Sequence, residues 1–167
     1  MKSIKRRAFL KSGLAGATLG FPAIGQVKGA NDRVQVALIG CGGRGTQVTS
    51  SLARRSDAVC SQVCDIHEER LLRIADYVAE QQDGRKPILA RQMDEVFANK
   101  DVDAVVVATP DHWHTPTAIL ACQAGKDVYV EKPFSHNIWE GRKLVEASRK
   151  YKRIVQVGTQ NRSASYN

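Results

Sequence analysis

Three features of this 167-residue chain predict an α/β fold built on a doubly wound parallel sheet. From residue 31 onward short apolar runs alternate strictly with amphipathic segments, the pattern of right-handed βαβ crossovers. The clearest run, Val102 to Ala108 (VDAVVVA), is rich in β-branched residues and broken only by Asp103, as expected of a strand covered on both faces. A glycine-rich turn, Gly40 to Gly45, joins the first apolar run to the first amphipathic segment. Composition agrees: 43% hydrophobic and 25% charged residues describe a globular chain, not a coiled coil, a collagen or a disordered tail.

Taken in order, Val34 to Gly40 (VQVALIG) reads as the first buried strand and Gly45 to Arg54 as the first helix. Ala58 to Asp65 is the second strand. Glu68 to Gln82 follows as a helix, because Leu71, Leu72, Ala75 and Val78 recur at helical spacing. Gly84 and Pro87 punctuate the chain before a short strand, Ile88 to Ala90, and a short helix, Met93 to Ala98. Val102 to Ala108 is the fourth strand. Thr115 followed by Pro116 reads as an N-cap with proline at the first helical position, opening a helix to Ala124 that Gly125 stops. Asp127 to Glu131 is the fifth strand. Asn137 with Glu140 three residues on has the capping-box pattern, starting a helix to about Lys150, and Ile154 to Gly158 is the sixth strand.

The formal charge of +8 invites a nucleic-acid reading that its distribution removes. Residues 1 to 30 hold six of the 25 basic side chains (Lys2, Lys5, Arg6, Arg7, Lys11 and Lys28) and no acid, so 19 basic and 17 acidic groups remain beyond them. A body so nearly balanced has no footprint for a phosphate backbone, and no nucleic-acid partner is expected. The cationic start and the apolar, small-residue stretch from Ala8 to Ile24 instead have the order of an export signal, too short and glycine-rich for a membrane span. Arg6-Arg7-Ala8-Phe9-Leu10-Lys11 resembles the twin-arginine signal, departing from it in Lys5, where the pattern prefers Ser or Thr. The expectation is export to the periplasm by the twin-arginine translocase, with cleavage near Ala23 or Ala30, or tethering to the inner membrane if the signal stays. Cys41, Cys60, Cys64 and Cys122 are too few for a disulfide scaffold, and the Cys60/Cys64 spacing is not a zinc spacing, so all four are read as core thiols.

Gly40-Cys41-Gly42-Gly43-Arg44-Gly45 matches G-x-G-x-x-G at the junction of strand and helix, the context that a dinucleotide-binding (Rossmann) turn requires. Gly40 permits the tight turn, Gly42 lets the backbone approach a diphosphate, Gly45 allows close helix-to-strand packing, and the helix N-terminus supplies unpaired N–H donors. Asp65, twenty residues after Gly45, stands where an acid binds ribose hydroxyls and repels a 2′-phosphate, which favours NAD over NADP. Arg44 leaves NADP open, since it could meet that phosphate. The competing reading is a plain glycine turn with Asp65 capping the next helix.

Thr109-Pro110-Asp111-His112-Trp113-His114 follows the fourth strand, at the carboxyl edge where ligands of such sheets collect. His112 and His114 lack the carboxylate or cysteine partners that would complete a metal site, so no metal is expected and they read as hydrogen-bonding groups. Glu131-Lys132-Pro133 follows the fifth strand at the same edge. Lys132 there can polarise a hydroxyl or carbonyl and move a proton beside a nicotinamide, or form a surface ion pair with a neighbour.

These elements together carry a resemblance. Gly40 to Gly45, Thr109-Pro110-x-x-x-His114, Ala124-Gly125-Lys126-Asp127-Val128 and Glu131-Lys132-Pro133, in this order and spacing, resemble the N-terminal domain of the glucose-fructose oxidoreductase/inositol dehydrogenase (Gfo/Idh/MocA) family over residues 32 to 162. The resemblance implies a nicotinamide-dependent oxidoreductase acting on sugars, inositols or related polyols. It implies Lys132 as the active-site lysine, with Gly43, Thr109, Pro110, His114, Glu131 and Gln160 around the cofactor, Gln160 on the nicotinamide side. It also implies a second domain, an open antiparallel sheet carrying the substrate pocket, an Asp-x-x-x-His element and the usual oligomer surface.

The resulting division is a signal over residues 1 to 30, a cofactor domain over 31 to 160, and the start of that second domain over 161 to 167. Without it the chain is expected to bind cofactor but not to turn over substrate, and homo-oligomers are expected only with it. Two other readings stay open: an NAD-dependent glycoside hydrolase of the same family, working by transient oxidation of the sugar, and a non-catalytic nucleotide-binding remnant.

Overall fold

The computed structural model describes residues 33–163. The export signal expected over residues 1 to 30 and most of the segment expected to open a second domain lie outside the described residues.

Six strands form one sheet: β1 (Val34–Ile39), β2 (Ala58–Cys64), β3 (Ile88–Ala90), β4 (Ala104–Val107), β5 (Asp127–Glu131) and β6 (Val155–Gly158). Their order is β3-β2-β1-β4-β5-β6 and every pairing is parallel. The connections carry α1 (Gly43–Ala53), α2 (Glu68–Gln81), α3 (Met93–Ala98), α4 (His114–Gln123) and α5 (Ile138–Tyr151). The chain winds one way from β1 to β3 and the other way from β4 to β6. The carboxyl ends of β1 and β4 therefore lie side by side at the reversal, where open α/β sheets bind their ligands. The doubly wound sheet expected from the alternation is the one observed.

The two sheet faces explain why the strands read as continuous apolar runs. Ala37, Ile39, Val105, Val107, Val128 and Val130 pack on one side with Ala118, Ala121 and Cys122 of α4 and Leu144 and Ala147 of α5. Val36, Leu38, Val63 and Val106 pack on the other with Leu71, Ile74, Ala75 and Val78 of α2, joined by the partly buried Val48 and Leu52 of α1. Alternate residues of one strand thus face two different cores, and neither can be polar without cost.

The four cysteines are buried, unpaired thiols. Burial first, and nearby carboxylates at Cys41 and Cys64, push Cys41 and Cys60 up to about 12 and Cys64 up to about 11. They stay neutral, as core thiols should.

Two helix starts differ from expectation: α1 begins at Gly43, two residues before Gly45, and α4 begins at His114. Thr115 is not the N-cap of α4: a 3-10 turn over Asp111–Trp113 runs straight into the helix, and Trp113 occupies the cap position without a side-chain bond. The Thr115 hydroxyl donates instead to the Phe134 carbonyl, 2.9 Å away. A long-range carbonyl outcompetes the local cap. At α5 the local pattern prevails: Asn137 Oδ1 accepts the Glu140 N–H at 2.9 Å, and the Glu140 carboxylate accepts the His136 N–H at 3.1 Å. A further capping box, Gln92 with Glu95, starts α3.

Candidate functional site at the carboxyl edge

The glycine-rich turn links β1 to α1. Gly40 has φ +97°, and a Cβ there would lie 2.6 Å from the Ala108 carbonyl oxygen, so both conformation and contact demand glycine. A Cβ on Gly45 would collide with the Gly40 carbonyl oxygen. Gly42 and Gly43 differ: nothing lies within 4 Å of a Cβ at either. That open space lies over the unpaired N–H groups at the start of α1, which has no side-chain cap and no acid in its first turn. The Thr109 Oγ1 across the switch point is buried without a partner. A cradle of bare backbone N–H groups with an orphaned hydroxyl nearby fits a dinucleotide's diphosphate and its neighbouring groups.

Asp65 follows β2 directly. One carboxylate oxygen accepts the Cys41 N–H of the turn at 2.7 Å and the other accepts the His67 N–H at 2.8 Å. It thus braces the turn and holds the backbone just before α2, but it does not cap that helix: the N-cap is His67, with no side-chain cap bond.

At the other side of the switch point Glu131 is 3% exposed and Lys132 is exposed. Arg44 reaches over from the glycine turn, its Nη2 2.8 Å from Glu131 Oε1, while its Nη1 donates to Gln47 Oε1 at 2.6 Å. The Tyr129 hydroxyl donates to the same Glu131 oxygen at 3.1 Å, and the Lys132 N–H donates to Oε2 at 3.3 Å. Burial by itself would raise the Glu131 pKa, but these donors and the Arg44 charge outweigh it and hold the carboxyl below its ordinary value. Burial first, then Glu131, raises the Tyr129 phenol. Gly158 is needed beside this group, because a Cβ there would lie 2.6 Å from Tyr129 Oη and 2.9 Å from Glu131 Oε1. Sequence reasoning missed Tyr129 and Gly158; the one available signal was a glycine ending a strand.

Lys132 has no carboxylate within ion-pair reach among the described residues, so the neighbour pair weighed from the sequence does not form; Arg44 takes Glu131 instead. His114 is 3% exposed, with Nδ1 2.7 Å from the Pro133 carbonyl oxygen and Nε2 2.8 Å from the Thr109 carbonyl oxygen. Pro110 is exposed at the same edge. Gln160 is exposed in a 3-10 turn just beyond β6, farther along the sheet. The structure thus gathers Gly40 to Gly45, Asp65, Thr109, Pro110, His114, Glu131 and Lys132 around one switch point. Among the described residues no three His, Cys, Asp or Glu side chains converge as metal ligands.

The family model described as "Oxidoreductase family, NAD-binding Rossmann fold" matches residues 34–159. The chain belongs to the Gfo/Idh/MocA family. Among curated relatives, a "Glycosyl hydrolase family 109 protein" of Shewanella baltica is 28% identical over 89% of this chain and 38% of its own length. A probable dehydrogenase from Thermotoga maritima superposes with TM-score 0.71 and 26% identity, over 77% of this chain and 37% of its own. The WlbA dehydrogenase from Chromobacterium violaceum, in complex with NADH and UDP-GlcNAcA, superposes with TM-score 0.67 and 27% identity over 78% of this chain and 36% of its own. The chain spans about 38% of the length of such Gfo/Idh/MocA relatives, and the part it shares with them is the NAD-binding Rossmann domain of an oxidoreductase family.

Proposed function

We propose that this chain is the cofactor-binding part of an exported NAD-dependent oxidoreductase that exchanges a hydride with a sugar or polyol, with Lys132 moving the substrate proton. The observation that carries the reading is the setting of Lys132: an exposed ammonium at the carboxyl end of β5, beside a buried carboxylate that Arg44 has already neutralised. A lysine tied to Glu131 could not serve a substrate oxygen; this one is left available. The Gly40 to Gly45 backbone and the start of α1 receive the diphosphate, Asp65 the adenosine ribose, and Thr109, Pro110, Glu131 and Gln160 flank the nicotinamide. The bound cofactor supplies the hydride acceptor.

Two observations support NAD over NADP. The Asp65 carboxylate is braced where it repels a 2′-phosphate, and Arg44, the cation that could have bound one, is engaged by Glu131 and Gln47. Calorimetric titration of the chain is expected to show NAD binding at least about tenfold tighter than NADP, with Asp65→Ala erasing the difference. Equal or tighter NADP binding by the wild type overturns the assignment.

The family 109 relatives favour a second reading, glycoside hydrolysis through transient oxidation of the sugar. Net accumulation of NADH from a free sugar separates the two, since a hydrolase of that kind returns its hydride. Export rests on the Arg6-Arg7 motif and on an economy of assembly: twin-arginine transport carries folded proteins, so the cofactor can be loaded in the cytoplasm and retained. Replacing both arginines by lysine is expected to keep the protein out of the periplasm; unchanged secretion counts against this route.

A further inference from the structure

His114 is the first residue of α4, and its ring bridges two loops. Its Nε2 sits 2.8 Å from the carbonyl oxygen of Thr109, after β4, and its Nδ1 sits 2.7 Å from the carbonyl oxygen of Pro133, after β5. Next along α4, the Thr115 hydroxyl donates to the carbonyl of Phe134 at 2.9 Å. The first turn of one helix thus holds three carbonyls from both loops of the carboxyl edge.

Both ring contacts are of hydrogen-bond length, and both partners are carbonyls, which only accept. A ring N–H therefore donates to one of these carbonyls, and the ring plane spans the gap between the two. With the ring 3% exposed, water is not there to replace either partner.

We propose that His114 is a positioning residue: a buried ring that sits between the Thr109 and Pro133 carbonyls, clasps the two loops together and thereby sets the backbone from which Lys132 projects. The Lys132 side chain has no partner of its own among the described residues, so its placement depends on its backbone. That backbone is held on one side by Glu131, which accepts the Lys132 N–H, and on the other by His114, which grips the carbonyl of the next residue. This inference rests on the functional reading above for its consequence, the alignment of the nicotinamide end of the site, but not for the clasp itself.

Two measurements on the full chain test it separately. With the four histidines labelled with nitrogen-15, the ring signal lost in His114→Gln belongs to His114; its ring N–H is expected to exchange with water far more slowly than those of the exposed His67, His112 and His136. A His114 ring N–H that exchanges as fast as those of the exposed histidines overturns the clasp whatever the protein binds. Titrations with NAD and with ADP-ribose, which lacks the nicotinamide, then read positioning. His114→Leu is expected to weaken NAD about tenfold, the scale of one lost hydrogen bond, while ADP-ribose changes less than about twofold. His114→Gln, which can still donate to one carbonyl, should fall between. Equal weakening of both ligands, or of neither, overturns the positioning role. Failure of the wild type to bind either ligand overturns the functional reading and leaves the nitrogen-15 result to judge the clasp.

Discussion

Lys126 and Lys132 stand at the two ends of β5, and the sheet treats them in opposite ways. Lys126, just before the strand, is 5% exposed, and its ammonium donates to the carbonyls of Asn99 at 2.5 Å and Val102 at 2.8 Å. Burial lowers its pKa, with Asp103 and Asp101 pulling the other way. Lys132, just after the strand, is exposed and unpaired among the described residues. Both lysines belong to the motif that carries the family resemblance, yet only one stands where chemistry can occur. In a parallel sheet the carboxyl ends open onto the ligand crevice, while at this amino end the connection entering β4 folds over and needs its carbonyls satisfied. A lysine conserves structure at one end and offers a charge at the other.

The largest effect is therefore expected at Lys126. Lys126→Met leaves the buried Val102 carbonyl and the part-buried Asn99 carbonyl without this donor and should cost about 3 kcal/mol in urea unfolding. An unchanged midpoint would break the comparison at its structural end.

A middle effect is expected at Glu131. Its folded pKa lies below the ordinary 4.5, so below that value the unfolded chain binds more protons than the folded one. The stabilisation from the Arg44 pair is then fully present above about pH 4.5 and lost as pH falls through the folded value. Glu131→Gln should lower stability at neutral pH by about 1 kcal/mol, because Arg44 keeps a partner that is no longer charged. It should also flatten the stability profile across that acid window; a profile as steep as the wild type's would show that another carboxylate governs it.

The smallest effect on folding is expected at Lys132 itself. Lys132→Met should move the unfolding midpoint by no more than about 0.5 kcal/mol, the range of surface substitutions, and a larger loss would mean that Lys132 is structural like Lys126.

The sequence made the sheet legible because apolar periodicity is local: β3, α3 and β5 have the boundaries the pattern predicts, and the strands of the switch point differ from expectation only at their ends. The glycine turn was equally readable, since Gly40 and Gly45 answer to contacts within one strand-turn-helix unit and its neighbour. Thr115 was misread because its hydroxyl prefers a carbonyl that local sequence cannot see. The pairing of Arg44 with Glu131 was out of reach for the same reason: Glu131 lies on a strand far along the chain.

By itself, then, the sequence determined the class of fold, the position of the dinucleotide turn and the candidacy of Lys132, because each is written in spacing and residue type over short stretches. Tertiary structure alone decided which cation neutralises Glu131, that His114 faces two carbonyls, and which of two lysines flanking β5 stays exposed. Those outcomes depend on hydrogen bonds between segments that only folding brings together, and on burial, which sets how much an unmet partner costs.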